Sequence, residues 1–210
     1  MDSLGILRQA GTKLAPGRSP SYTETHVLKA LELMEAGGSI GRQQLARELR
    51  LGEGTVRTLI SRLKEQDLLT TTRGGMALTA VGSRLMEDMK TYYMTFELHE
   101  TQMTLGLNNY GVLVKGAGSF VDKGIEQRDA AIIAGARGAT TLIAEGGEIR
   151  MPGFVEQIDS TVIELIRTSV HPEEGDVIII GSDDDKFNAE MGAKSAALKL
   201  MSQRAAQKIG

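Results

Sequence analysis

Two domains in tandem, of α/β or α+β class, are predicted from this 210-residue sequence. Three observations predict them. Helical apolar stripes and one Gly-Gly ribbon occupy residues 21–95, whereas residues 96–210 alternate short β-prone runs with helical ones. The charge also changes sign along the chain. Residues 1–95 hold 13 Lys+Arg against 10 Asp+Glu, or +3; residues 96–210 hold 11 against 17, or −6. A slightly basic half beside an acidic half fits a polyanion-binding module joined to one that does not touch the polyanion. Chance is the plain alternative for so small a number, although the positive charges cluster where the helical stripes and the ribbon lie.

Composition sets the bounds. With 41% hydrophobic residues the chain suits one large or two small domains. It has no cysteine, which removes disulfide frameworks and thiolate zinc sites and fits a reducing compartment. The first twenty residues contain no long apolar run and do not read as a signal peptide. Val177–Ile180 is the most continuous apolar stretch and is far too short to span a bilayer. A soluble, cytoplasmic protein with no membrane partner is expected.

Residues 1–20 combine Gly11, Pro16, Gly17 and Pro20 with Arg8, Lys13 and Arg18, and are expected to form a flexible basic arm. Residues 21–95 form the first expected domain. Ser21 and Glu24 have capping-box spacing; Val27, Leu28, Leu31 and Met34 make a helical stripe that Gly37-Gly38 ends. A second helix, about 42–49, turns Leu45, Ala46 and Leu49 inward. After a turn at 50–52 a third, about 53–65, has Val56, Leu59, Ile60 and Leu63 as its core face. Short strands at 68–72 and 76–79 flank Arg73-Gly74-Gly75, which suits a tight hairpin. A fourth helix, about 80–92, carries Val81, Leu85, Met86 and Met89 as a seam, either for packing within its domain or for dimerisation.

Helix, tight turn, helix and a two-stranded ribbon is the order a winged helix-turn-helix needs to place one helix in the major groove of DNA. With its apolar face inward, the third helix presents Thr55, Arg57, Thr58, Ser61, Arg62 and Lys64 outward. Short hydroxyls allow close approach to the groove floor, and arginines grip guanine edges or phosphates. Arg42 and Gln43 start the preceding helix, where backbone N–H groups and side chains meet phosphate. Thr71, Thr72 and Arg73 lie on the wing.

The segment LARELRLGEGTVRTLISRLKEQDLL followed by LTAVGSRL resembles the winged helix-turn-helix transcription regulators over about residues 21–92. Arg50 stands where such families often have Gly in the inter-helix turn, Gly52 where they have a Ser or Thr cap, and Asp67 where Gly is common before the wing. The remainder is similar to the uncharacterised α/β domain that follows winged helices in archaeal regulators, a resemblance that implies no ligand or cofactor.

In residues 96–210, strands are expected at 111–116, 139–144, 148–152 and 176–181 in a mixed sheet, with helices at 123–136, 155–169 and 185–203. Lys115, Gly116 and Gly118 form a glycine-rich bend after a strand, with Lys123, Arg128 and Asp129 just beyond; this is either an anion cradle or an ordinary loop. Asp183, Asp184 and Asp185 precede a helix, where they either cap it or bind a cation or amine. If these strand ends are neighbours they make a bipolar pocket for an effector. Catalysis has little support: His26, His99 and His171 fall in no ligand pair, there is no GxSxG, and on a strand His99 would point opposite to its immediate neighbours Leu98 and Glu100. The expected function is a homodimeric, effector-responsive regulator of double-stranded DNA. An enzyme with a fused winged helix and a protein–protein adaptor are the alternatives.

Overall fold

In a computed structural model, the chain separates into two compact units, residues 1–90 and 91–210. The structure describes residues 2–11, 22–99, 101, 103–154 and 158–207. Residues 12–20 of the expected arm, Ser21 of the expected capping box, Glu100, and residues 155–157, where a helix was expected to begin, lie outside them. Among the described residues no helix is long and apolar enough to cross a membrane.

The first unit begins with a helix where an arm was expected. Ser3–Gly11 (α1) buries Leu4, Leu7 and Ala10 against α2 (Glu24–Gly37), with further contact to α4 (Glu53–Glu65) and α5 (Ala80–Met89). Burying two leucines, at about 2 kcal/mol each, outweighs the roughly 1 kcal/mol that Gly5 costs inside a helix. Ser3 Oγ donates to Asp88 Oδ2 at 2.5 Å and fastens α1 to α5. The cap of α2 is Thr23, whose N–H donates to His26 Nδ1 at 3.1 Å.

Between α2 and α4, α3 (Arg42–Leu49) buries Leu45, Ala46 and Leu49. Its turn into α4 places Arg50 in the left-handed region at φ 52°, and Asp67, before the wing, is at φ 54°. Both positions where the sequence departs from glycine therefore adopt the backbone that favours glycine. The wing is β1 (Leu69–Thr72) paired antiparallel with β2 (Gly75–Leu78) across Arg73-Gly74. Ile40 adds a third partner by exchanging two backbone hydrogen bonds with Met76, both 2.9 Å. Gly75, at φ 128°, lets this happen: a Cβ there would lie 2.4 Å from the Ile40 carbonyl oxygen. Thr79 then caps α5, accepting from Gly82 N–H at 3.1 Å. The seam of α5 is internal, with Leu85, Met86 and Met89 at most 1% exposed. These three side chains pack within their own domain, and Val81, the fourth of the seam, is half-buried.

The second unit is a five-stranded sheet in the order β3-β4-β7-β5-β6, antiparallel throughout. Its strands are β3 (Tyr93–Leu98), β4 (Asn108–Val114), β5 (Gly138–Glu145), β6 (Glu148–Arg150) and β7 (Val177–Asp183). The first of these follows directly on the expected helix 80–92, and its start at Tyr93 lies inside the first expected domain, 21–95. Alternation divides the sheet residues between two faces. On one face α7 (Ser160–Val170) sets Val162, Ile166 and Val170 against Phe96, Leu113, Leu142, Ile178 and Ile180. The other face is covered by α8 (Lys186–Gln207), with α6 (Ile125–Ile133) packed on α8 and β5.

Candidate nucleic-acid interface

The outward face of α4 is narrower than apolar spacing predicts. Val56, Leu59 and Leu63 are buried, so the stripe directly opposite runs through Arg57, Thr58, Ser61 and Lys64, all exposed. Thr55 and Arg62 lie about a quarter turn away and are half-buried. Arg62 is turned toward α1. Its Nη1 donates to the Ala10 carbonyl at 3.4 Å, and its guanidinium lies 5.8 Å from the Tyr22 ring centroid. Tyr22 Oη donates to the same carbonyl at 3.3 Å, and burial raises its phenol pKa while Arg62 opposes the rise. A cation at the last turn of α1 is also favoured by the helix dipole. Arg62, expected to grip guanine edges or phosphates, thus holds α1 in this structure.

On the outward stripe, Thr58 Oγ1 donates to the Gly54 carbonyl at 3.2 Å and Ser61 Oγ to Glu65 Oε1 at 3.1 Å. These bonds hold the hydroxyls close to the helix, leaving Arg57 and Lys64 as the reaching groups. Glu53 and Glu65 bracket them, so a merely electrostatic grip is weakened at both ends of the helix. Arg42 and Gln43 are exposed in the first turn of α3, and Thr72 and Arg73 are exposed at the wing tip. Thr72 Oγ1 accepts from Gly74 N–H at 3.2 Å and donates to the Gly75 carbonyl at 3.0 Å, which shapes the tip and presents Arg73. Sequence reasoning passed over Gln44, Arg47 and Glu53, all exposed on α3 or the first turn of α4. Glu53 stands in the first turn of α4, the part of a helix that meets base edges when it lies in a major groove.

The expected effector pocket does not assemble. Asn108 pairs with Asp183 at one end of the β4–β7 ladder, and Val114 with Val177 at the other. Lys115 and Gly116 therefore lie at the end of β4 opposite Asp183 and Asp184. The glycine-rich bend already holds an anion supplied by the chain: Asp176 Oδ1 accepts from Gly116 N–H at 2.8 Å, and its Oδ2 from Glu173 N–H at 3.0 Å. Gly118 N–H donates to the Gly175 carbonyl at 2.8 Å.

The aspartates are committed as well. Asp183 accepts from Asp185 N–H at 2.8 Å, Asp184 pairs with Arg137 at 2.6 Å, and Asp185 accepts from Phe187 N–H at 2.9 Å at the start of α8. Asp183 and Asp185 thus bond backbone N–H groups at the start of α8, and Asp184 is held by an ion pair. Lys123 is exposed, and Arg128 pairs with Asp129 at 3.2 Å on α6. Clefts are present among the described residues of this domain. One, of about 240 Å³, lies between Glu97, His99, Asn108, Tyr110 and Lys186, with Lys186 Nζ 2.8 Å from Glu97 Oε1. Another, of about 320 Å³, is lined by Gly118, Asp122, Arg150 and Glu174 among others.

Comparison with known proteins agrees with this division. Residues 23–93 match the CggR N-terminal DNA binding domain, and residues 105–200 match a domain of unknown function (DUF4443). A solved structure, the hypothetical protein PH0730 from Pyrococcus horikoshii OT3, is similar over 87% of this chain and 95% of its own, with 27% identity and a TM-score of 0.72. No curated protein matches the chain. The chain thus joins a winged helix-turn-helix domain of the CggR N-terminal type to a C-terminal α/β domain of the DUF4443 type.

Proposed function

We propose that this protein is a transcriptional regulator that binds double-stranded DNA as a homodimer, with its C-terminal domain dimerising, sensing a small effector, or both. The observation that carries this reading is the exposed stripe Arg57, Thr58, Ser61 and Lys64, on a domain that matches a DNA-binding family. Arg57 reads base edges, Lys64 and Arg42 meet phosphate, and Arg73 reaches phosphate or minor groove from the wing. The cleft beside Glu97, Tyr110 and Lys186 is the effector site that best fits a small polar molecule, because it offers both signs of charge and an aromatic ring. An effector acts there by binding two dimer geometries with different affinity.

Selection of bound sequences from random duplex DNA, followed by affinities at two salt concentrations, tests the reading. An enriched inverted repeat with half-sites about 34–36 Å apart, or a multiple of that, is the expected result. Uniform, steeply salt-dependent binding would reduce the domain to a basic surface. Absence of binding would favour an adaptor role for the winged helix.

A further inference from the structure

The outer face of α6 carries a pattern that reads the same in both directions. Gln127, Ala130 and Ala131 are buried, and α6 packs on α8 and β5. The opposite stripe consists of Ile125, Arg128, Asp129 and Ile132, with Ile133 at its margin. Ile125 is 50% exposed, Ile132 47% and Ile133 86%. Monomeric proteins scatter single apolar residues over their surfaces, but three isoleucines on one nine-residue helix form a patch.

What occupies the patch follows from its symmetry. A two-fold axis perpendicular to α6, passing between Arg128 and Asp129, runs the helices of two copies antiparallel. It sets Ile125 against Ile132 of the second copy, and Arg128 against Asp129 of the second copy. Each contact occurs twice, as an isologous interface requires. This register matches the charges as well as the isoleucines, whereas centring the axis on Asp129 would set two carboxylates together. Within one chain Arg128 and Asp129 already pair at 3.2 Å with half their side-chain surfaces exposed, so both are presented together at the centre of the face. We infer that α6 is the contact between two copies of this chain, held by paired isoleucines around a crossed double Arg128–Asp129 ion pair. A helix of nine residues is about 14 Å long and falls short of the roughly 800 Å² per partner of a standard interface. α6 alone would therefore hold only a weak dimer.

This inference rests on the homodimeric part of the proposed function, and its test separates the two. The chain lacks cysteine, so introduced thiols report cleanly. In full-length protein, Ile125→Cys with Ile132→Cys should form a covalent dimer under mild oxidation. Either substitution alone should not, because equivalent positions on antiparallel helices would lie about 10 Å apart, beyond disulfide reach. Sedimentation of Arg128→Asp should show a dimer weakened at least roughly tenfold, and Arg128→Asp combined with Asp129→Arg should restore it. A folded double-cysteine protein that does not cross-link, or a swap that fails to restore dimers, overturns the surface. An inverted repeat selected by a protein that fails these tests leaves the DNA reading standing and removes α6 from it. Cross-linking without sequence-specific DNA binding does the reverse.

Discussion

Arg57 and Arg62 are five positions apart on one helix, and the structure separates their roles. Arg57 lies on the outward stripe, whereas Arg62 bonds the Ala10 carbonyl in the last turn of α1. Arg57→Ala should lower affinity for the selected DNA by about 1–3 kcal/mol without changing the unfolding midpoint. Arg62→Ala should cost about 1–2 kcal/mol of stability through a lost charged hydrogen bond and ring contact. Denaturant unfolding and DNA titration of both variants decide it; equal affinity losses with unchanged stability would return Arg62 to the interface. His26 supplies a pH effect. Its Nδ1 accepts from Thr23 N–H, and burial holds its pKa below the usual 6.5. The unfolded chain then binds the proton more tightly, so the cap's contribution is complete above about pH 6.5 and is lost as pH falls through the folded-state value. Thr23 Oγ1, 3.0 Å from the same nitrogen, can accept from an imidazolium, which limits the loss to about 1 kcal/mol. The neighbouring Glu24 works the other way: burial raises its pKa above 4.5, so its charged form costs stability as pH rises through that value. Comparison of wild type with His26→Gln isolates the histidine, because glutamine caps without titrating. The two stability–pH curves should converge above pH 7 and part below 6.5; parallel curves would refute the cap.

At the scale of elements, strong periodicity was legible and weak periodicity was not. The stripes of α2, α3 and α4 and the Gly-Gly wing read directly from spacing, as did most of β4, β5 and β7. Helix α1 was hidden because Gly11, Pro16, Gly17 and Pro20 read as breakers, while Leu4, Leu7 and Ala10 need α2 and α5 to become a core. Strand β3 was hidden because Tyr92-Tyr93-Met94 continues an apolar helical run, and only pairing with β4 selects the extended form. The outward set on α4 was too wide because spacing alone cannot see α1 covering Arg62. The same covering governs the α8–β7 contact. A Cβ on Gly181 would lie 2.3 Å from the Ala189 carbonyl oxygen and 2.7 Å from Ala193 N, both backbone atoms that cannot swing aside. Gly181→Ala should therefore force α8 off the sheet and cost about 1–3 kcal/mol. Separate melting of the two domains, followed by calorimetry, should show the C-terminal transition lowered and the N-terminal one unmoved.

For the molecule as a whole, the division of labour between two units was readable from charge and texture, but its position depended on a strand. A cut after residue 95 would divide β3, removing Tyr93, Met94 and Thr95 from their pairing with Val114, Leu113 and Val112. Tyr93 is only 6% exposed, so its loss also opens the edge of the sheet. Lys90 lies outside that ladder and bonds within the first unit, donating to Glu35 at 2.7 Å. A fragment of residues 91–210 should therefore unfold cooperatively, and one of residues 96–210 should be less stable by about 2 kcal/mol or more, since burying a large side chain contributes that much by itself. Residues 1–90 should remain folded and retain the specificity of single half-sites. Binding of inverted repeats should weaken much further, because joining two half-site contacts in one dimer raises their effective concentration. Chemical unfolding of the three fragments, with half-site and full-site titrations of the first, measures each term. Equal stability for 91–210 and 96–210 would mean that β3 is dispensable to the sheet. Full-site affinity undiminished in 1–90 would place the dimer contact in the winged helix instead of the α/β domain.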